Sequence, residues 1–165
     1  MDAKRRYFLL AGAAVGMSSL IPPLVGNSKV TSLEKFEVTH TDAEWKSLLN
    51  GKAYTILRHE GTEPPYSSPM NDEHRTGIFA CAGCAQQLYS SKTKFDSRTG
   101  WPSFWQPLDK AIITKADYSL GLPRTEVRCH RCGGHLGHVF EDGPKPTGLR
   151  YCMNGAAMTF TSSAT

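Results

Sequence analysis

Cys81-Ala-Gly-Cys84 is matched in form by Cys129-His-Arg-Cys132, and residues 85–128 separate the two Cys-x-x-Cys motifs. Four thiolates arranged in this way can form a tetrahedral zinc site, because each motif directs two sulfurs toward one point about 2.3 Å away. The intervening segment is longer than in a zinc ribbon, so the metal is expected to join two distant hairpins of one domain. A redox-active Cys-x-x-Cys pair and two structural disulfides are the alternatives.

The segments around these motifs are predicted to be mainly β. Glycine and proline together number 25 (15 plus 10), and their spread along the chain favours short strands and turns over long helices. Turn residues separate the β-type runs and no helix-length stretch intervenes, so the strands should pair antiparallel. The predicted strands are residues 77–82, 87–90, 111–119, 125–129, 137–141, 149–154 and 157–160.

A short amphipathic helix is predicted before these strands. Thr41 and Glu44 form a capping box, in which each side chain accepts the backbone amide of the other residue. Apolar residues follow at helical spacing, and Gly51 is expected to end the helix. Residues 54–58 are ambiguous between helix and strand, and residues 61–76 have the composition of a loop.

The start of the chain has the composition of an export signal. A basic region at residues 4–6 precedes an apolar run of 15 residues, 7–21, which is shorter than the ~20 that a membrane-spanning helix needs. Arg5-Arg6 followed by Phe8-Leu9 resembles a bacterial twin-arginine signal. We therefore expect residues 1–27 to contain the signal and the start of a linker, and residues 33–165 to form the folded domain. An uncleaved tail or anchor is the alternative.

An exported protein of this kind is expected in the periplasm, with no stable membrane span once the signal is removed. The formal net charge is +4, but Lys4, Arg5 and Arg6 less Asp2 supply +2 of it, which leaves +2 for the remainder. So small an excess of basic residues does not indicate a nucleic-acid partner.

Cys152 lies outside both Cys-x-x-Cys motifs and is the candidate nucleophile. Side chains two apart on a strand share a face, so Arg150 and Asn154 should lie on the same side as the Cys152 sulfur. A guanidinium group favours the reactive thiolate, and the amide can orient a substrate or a neighbouring histidine. The alternative is an inert cysteine in the core.

Two further segments suggest a site around this thiol. His135 and His138 lie beside glycines that allow a ligand to approach closely, and histidine can act as a general acid near neutral pH. Trp101 and Phe104 belong to the aromatic sequence Gly-Trp-Pro-Ser-Phe-Trp and are candidate substrate contacts. The alternatives are structural hydrogen bonding or metal ligation for the histidines, and core packing for the aromatic residues.

Residues from about 33 to 160 resemble the B-type methionine sulfoxide reductases. The resemblance rests on several motifs in the same order: both Cys-x-x-Cys pairs, Phe95-Asp-Ser leading into Gly-Trp-Pro-Ser-Phe, Gly-His-Leu-Gly-His-Val-Phe-Glu-Asp-Gly-Pro, and Arg150-Tyr-Cys-x-Asn. It implies a zinc-stapled, β-barrel-like fold of two antiparallel sheets with short peripheral N-terminal helices. It also implies reduction of the R epimer of methionine sulfoxide in oxidised proteins, as a repair reaction under oxidative stress.

The resemblance assigns roles to individual residues. Cys152 falls at the nucleophile position, and Trp101 matches the aromatic that contacts the sulfoxide methyl group. The polar residues of the family's substrate pocket are matched by His135, His138, Asn154 and Arg150. Its structural zinc ligands are matched by Cys81, Cys84, Cys129 and Cys132.

The implied mechanism is thiolate attack by Cys152 on the sulfoxide sulfur, with His138 or His135 protonating the oxygen and a sulfenic acid left on the enzyme. Many family members then use a second cysteine just before the Gly-Trp-Pro-Ser-Phe motif, but this chain has Thr99 there, and Gly155 stands where the family usually has serine. We therefore expect an external reductant, either a thioredoxin-like protein or a small thiol. A non-catalytic zinc-binding module and a thiol–disulfide oxidoreductase are the alternative functions.

Overall fold

The computed structural model describes residues 35–163. The predicted export signal and linker lie outside these described residues. Within them, neither helix has the length and apolar composition required to span a bilayer.

Two short helices precede the strands. Helix α1 spans Asp42–Leu48, and its predicted capping box is confirmed: the Thr41 hydroxyl accepts the Glu44 amide, and the Glu44 carboxylate accepts the Thr41 amide at 2.7 Å. Helix α2 spans Gly51–His59 and begins because the Asn50 side chain accepts the Ala53 amide at 2.9 Å. The prediction that Gly51 ends the first helix is wrong, because α1 ends at Leu48 and Gly51 is the first residue of α2. The ambiguous residues 54–58 are helical.

Two antiparallel sheets form the body, as predicted. The smaller has the strand order β2-β1-β9, with β1 at Gly77–Cys81, β2 at Gln87–Ser90 and β9 at Met158–Ser162. The larger has the order β3-β4-β8-β7-β6-β5. Its strands are β3 at Lys94–Phe95, β4 at Ser103–Phe104, β5 at Ile112–Asp117, β6 at Arg124–Cys129, β7 at His135–Phe140 and β8 at Arg150–Met153.

Every segment predicted as a strand contains one, but β3 and β4 were not predicted. Each has only two residues, which is too short to show the alternation that identifies a strand in a sequence. Strand β4 nevertheless matters for the site, because it pairs Ser103 with Cys152 on β8. The larger sheet thus brings together segments that are far apart in the chain.

The core is built from aromatic and aliphatic side chains of both sheets. The rings of Tyr89 and Phe104 stack with centroids 4.3 Å apart, and Phe79 meets Phe104 edge to face at 5.0 Å. All three are fully buried. Helix α2 adds Ile56 and Leu57 to this cluster, against strand β7. Side chains of both sheets and of α2 therefore share one core.

Candidate active site

The four cysteines of the two motifs form a single cluster. Their sulfurs all lie within 4.8 Å of one another, with Cys81 and Cys132 3.7 Å apart and Cys84 and Cys129 3.5 Å apart. A tetrahedral site with bonds of about 2.3 Å separates its sulfurs by about 3.8 Å, so these distances fit one metal ion. All four are free thiols, because a disulfide requires sulfurs only about 2.05 Å apart.

The location of this cluster explains the long segment between the motifs. Cys81 ends β1 of the smaller sheet and Cys129 ends β6 of the larger, and each motif continues into the turn that follows its strand. A metal ion bound here would join the two sheets. The four-coordinate donor set leaves no position open for a substrate, which is typical of a structural site.

Cys152 lies in the centre of the larger sheet, on β8. Its neighbours in register are Ser103 on β4 and His138 on β7. The side chain is partly exposed, and its sulfur lies 3.9 Å from the hydroxyl of Thr99. Gly137 is required beside it, because a Cβ at that position would collide with the Cys152 carbonyl oxygen.

The Cys152 thiol opens onto a cavity of about 140 Å³. Trp101, His138 and Asn154, three of the residues predicted from the sequence, line this cavity with it. The other lining residues are Thr62, Arg124, Gly137 and Phe140. An indole, an imidazole and a thiol around so small a space can hold one side chain of mixed apolar and polar character.

His138 is held by a carboxylate that the sequence did not single out. Its Nε2 lies 2.8 Å from Oδ2 of Asp117, and the same oxygen accepts Nη2 of Arg124 at 2.6 Å. Hydrogen bonds from Ser119, followed by those from His138 and Arg124, hold the pKa of Asp117 well below its usual range. Burial lowers the pKa of His138, and the hydrogen bond with Asp117 opposes that effect.

His135 is placed differently from His138. It is buried, its Nδ1 lies 2.8 Å from Oε1 of Glu126, and it does not line the cavity. Burial acts to raise the pKa of Glu126, but the hydrogen bond and charge of His135 outweigh it and the pKa is lowered. The two imidazole rings lie 5.4 Å apart, but only His138 lines the cavity, whereas His135 forms a buried pair with Glu126.

Arg150 influences the Cys152 thiol by charge. Burial raises the pKa of Cys152, while Arg150, followed by Thr99, acts to lower it. The guanidinium itself makes two 2.8 Å hydrogen bonds to Asp142 and lies 4.5 Å over the ring of Phe140. These contacts fix Arg150 outside the cavity wall.

One residue of the predicted loop, Glu63, holds two of the cavity residues in place. The backbone carbonyl of Glu63 accepts the Trp101 indole N–H at 3.0 Å, and its backbone amide donates to Oδ1 of Asn154 at 3.0 Å. The Glu63 carboxylate accepts the backbone amides of Gly155 and Ala156. Glu63 therefore positions both Trp101 and Asn154, although nothing in its local sequence distinguished it from other loop residues.

Phe104 requires a correction. It was expected to contact substrate, but it is fully buried, it stacks on Tyr89, and it does not line the cavity. Successive residues on a strand face opposite sides, so Ser103 lies toward the thiol while Phe104 lies in the core. The sequence analysis missed Asp117 and Arg124, which pair across the ends of β5 and β6.

The chain is similar in sequence to known proteins. Residues 49–162 match the SelR domain family. The chain is 48% identical over 126 residues to the peptide methionine sulfoxide reductase MsrB of Leptospira interrogans, covering 76% of this chain and 96% of that protein. It is 46% identical over 132 residues to the protein of the same name from Agrobacterium fabrum, covering 79% and 98% respectively.

A third relative and one solved structure are also similar to this chain. The MsrB protein of Thioalkalivibrio sulfidiphilus is 50% identical over 124 residues, covering 74% of this chain and 90% of that protein. Among solved structures, the Mis18 Yippee-like domain aligns with a TM-score of 0.46 at 15% identity, over 55% of this chain and all of that one.

Proposed function

Because the chain belongs to the SelR domain family, whose curated relatives are MsrB peptide methionine sulfoxide reductases, we propose that it is a thiol-dependent peptide-methionine (R)-S-oxide reductase. Its substrates are oxidised proteins, and its product is the repaired methionine residue. The observation that carries the proposal is the position of Cys152. It is the one cysteine outside the four-cysteine cluster, and it opens onto a cavity shared with His138 and Trp101.

The reductase step needs a nucleophile and a proton donor around one sulfur–oxygen bond. The Cys152 thiolate attacks the sulfoxide sulfur while a protonated His138 delivers its proton to the oxygen. The oxygen, now a hydroxyl, passes to the Cys152 sulfur as its bond to the substrate sulfur and the new sulfur–sulfur bond both break. Methionine leaves with two electrons gained from Cys152, which becomes a sulfenic acid. His138 suits the acid role better than His135, because only His138 lines the cavity.

Specificity is assigned to the walls of the cavity. The indole of Trp101 offers an apolar surface to the methyl group of the sulfoxide, while His138 and Asn154 supply polar groups in the same cavity. Glu63 fixes both the indole and the Asn154 amide, so these two groups keep a constant separation. A fixed apolar group and a fixed polar group distinguish the two epimers at a pyramidal sulfur.

Recycling requires an external thiol. The Thr99 hydroxyl lies 3.9 Å from the Cys152 sulfur, and every other sulfhydryl belongs to the four-cysteine cluster. A first external thiol condenses with the sulfenic acid to give a mixed disulfide and water, and a second releases Cys152. A thioredoxin-like protein or a small thiol can supply both electrons.

Zinc is the proposed structural cofactor, held by Cys81, Cys84, Cys129 and Cys132. Four thiolates suit zinc, which favours tetrahedral sulfur coordination and has no redox chemistry of its own. When bound, the ion joins β1 to β6 and so fixes one sheet against the other.

Export through the twin-arginine route to the periplasm is also proposed. Its support is the adjacent Arg5 and Arg6 before an apolar run that is short for a membrane span. The proposal predicts a mature protein that begins after this segment. The test changes both Arg5 and Arg6 to lysine and locates the variant by cell fractionation. Retention of the variant in the cytoplasm is expected, and its normal export would contradict the route.

The test of the activity uses the purified protein with each epimer of N-acetyl-methionine sulfoxide and dithiothreitol. Turnover of the R epimer alone is expected, and Cys152→Ser should abolish it. Equal turnover of both epimers, or full activity in the serine variant, would contradict the proposed function.

A further inference from the structure

Exposed apolar side chains are concentrated beside the cavity. In residues 35–163 the large hydrophobic side chains exposed to solvent are Leu48, Tyr66, Tyr118, Leu120 and Leu122. Three of the five fall in the connection between β5 and β6, and they are 70%, 71% and 73% exposed in chain order. Single exposed apolar residues are ordinary on protein surfaces, but a group of three within five residues marks a site of interaction. We call residues 118–122 the rim loop.

The rim loop is attached directly to the site. It is flanked by Asp117 and by Arg124, which pair with each other across the end of the hairpin. Asp117 holds His138, and Arg124 lines the cavity. Leu122 is two residues from Arg124, so their Cα atoms are separated by at most about 7 Å. The rim loop therefore connects two residues of the site, Asp117 and Arg124.

The conformation of the loop is held by hydrogen bonds at its base. The Ser119 amide donates to Oδ1 of Asp117 at 2.9 Å, and the Gly121 amide donates to the Tyr118 carbonyl at 3.1 Å. Gly121 has φ +78°, a left-handed conformation that glycine adopts without strain. These bonds define the backbone of the turn, while its three apolar side chains are exposed to solvent.

The size of the cavity limits which part of a polypeptide substrate can enter it. At about 140 Å³ it is smaller than the roughly 300–1,000 Å³ of typical small-molecule sites, so it has room for one side chain and not for the residues on either side of it. The residues that flank a methionine sulfoxide in a polypeptide must therefore lie outside the cavity, next to its rim.

We propose that the rim loop is a docking surface for the polypeptide substrate, with Tyr118, Leu120 and Leu122 binding apolar residues that flank the methionine sulfoxide. The inference rests on the proposed function and adds a preference for sequence context. The loop residues between the three apolar side chains are Ser119 and Gly121, so the surface carries no charge of its own and selects by apolar contact.

The test compares substrates that reach the loop with one that does not. The variant is Tyr118→Ser with Leu120→Ser and Leu122→Ser, and the matched control is Leu48→Ser, another exposed leucine located on α1. The substrates are N-acetyl-methionine-R-sulfoxide, a short peptide with leucine and phenylalanine beside the sulfoxide, and the same peptide with serine at those positions. Dithiothreitol is the reductant throughout.

For the apolar peptide we expect the triple variant to lose about tenfold in kcat/KM, mainly through KM. The small substrate should be turned over as by the unaltered protein, and Leu48→Ser should match it on all three substrates. An equal loss on every substrate, or no loss on the apolar peptide, would overturn the proposal. A loss seen only when thioredoxin replaces dithiothreitol would also overturn it, because the loop would then bind the reductant. A triple variant that only dissociates a dimer would overturn it in favour of contact between copies.

A binding measurement separates this inference from the proposed function. Fluorescence anisotropy of the labelled apolar peptide with Cys152→Ser needs no turnover, and adding the three loop substitutions should weaken its Kd about tenfold. Absence of reductase activity in the unaltered protein would remove the proposed function, whereas an unchanged Kd would remove the docking surface alone. Unchanged thermal unfolding of the variants shows that the effect is not a folding defect.

Discussion

Asp117 holds the imidazole of His138 through a 2.8 Å hydrogen bond between Oδ2 and Nε2. His138 in turn faces Cys152 across the β7–β8 pair. The charged groups packed around this imidazole also include Arg124 on β6 and the buried pair of His135 with Glu126. Burial and Arg124 lower the pKa of His138, and the Asp117 carboxylate is the group that opposes them.

Replacing Asp117 with asparagine should therefore reduce kcat/KM at neutral pH. The reactive state of the pair is the Cys152 thiolate with the His138 imidazolium, and the unreactive state with the same number of protons is the thiol with a neutral imidazole. Loss of the Asp117 charge lowers the pKa of His138, so the equilibrium moves toward the unreactive state. For the same reason the low-pH limb of the activity profile shifts to lower pH. A pH profile with N-acetyl-methionine-R-sulfoxide measures both effects. An unchanged profile would show that Asp117 does not act through His138.

The two histidines should differ when each is changed to glutamine. His138→Gln removes the proposed acid and should lower kcat by about 10²–10⁴-fold with little loss of stability. His135→Gln breaks a buried pair with Glu126 and should lower the free energy of unfolding by about 1–3 kcal/mol, with a smaller effect on kcat. Steady-state kinetics and urea unfolding of both variants check this. The reverse pattern would assign the acid to His135.

Arg150 should govern how readily the thiol ionises. Burial places the pKa of Cys152 above the ordinary cysteine range, and Arg150 is the first group that opposes this. In Arg150→Ala the pKa rises further, so alkylation by iodoacetamide at neutral pH should slow, and the midpoint of its pH dependence should move up. Asp142→Asn, which retains the guanidinium, is the matched control and should slow alkylation less. Equal rates in the protein and in Arg150→Ala would contradict the assignment.

A disulfide can be introduced at the position of Thr99. Its hydroxyl lies 3.9 Å from the Cys152 sulfur, so Thr99→Cys needs only a small movement to reach the bonding distance of about 2.05 Å. Mass spectrometry after one turnover without reductant should show an internal disulfide in Thr99→Cys and a sulfenic acid in the unaltered protein. An internal disulfide that involves Cys152 in the unaltered protein would contradict the proposed recycling by an external thiol.

The zinc site should be separable from the reaction. Cys129→Ser should lose the metal and lower the free energy of unfolding by well over the ~1 kcal/mol of an average substitution, since the link between β1 and β6 is lost. Cys152→Ser should keep one zinc ion per chain and near-normal stability while losing activity. Elemental analysis with thermal unfolding distinguishes them. A fully stable, metal-free Cys129→Ser protein would remove the structural role.

Most of the fold follows from local sequence. The cap at Thr41 and Glu44 was predictable because its hydrogen bonds join residues three apart, and the main strands were predictable from short apolar runs between turns. Helix α2 was ambiguous because its buried residues are few and a glycine opens it. The two-residue strands β3 and β4 are too short to show an alternating pattern. They form because β4 pairs with β8 and β3 pairs with β4.

The sequence by itself determined which chemical groups the protein has: four cysteines spaced for a metal, one remaining thiol, and histidines and aromatic residues in recognisable motifs. Only the tertiary structure decided that His138 faces the thiol while His135 and Phe104 are buried, and that Asp117, Arg124 and Glu63 complete the site. The physical reason is that strand pairing joins segments as distant as Ser103 and Cys152. The register of such a pair depends on the packing of the whole sheet, and no local pattern records it.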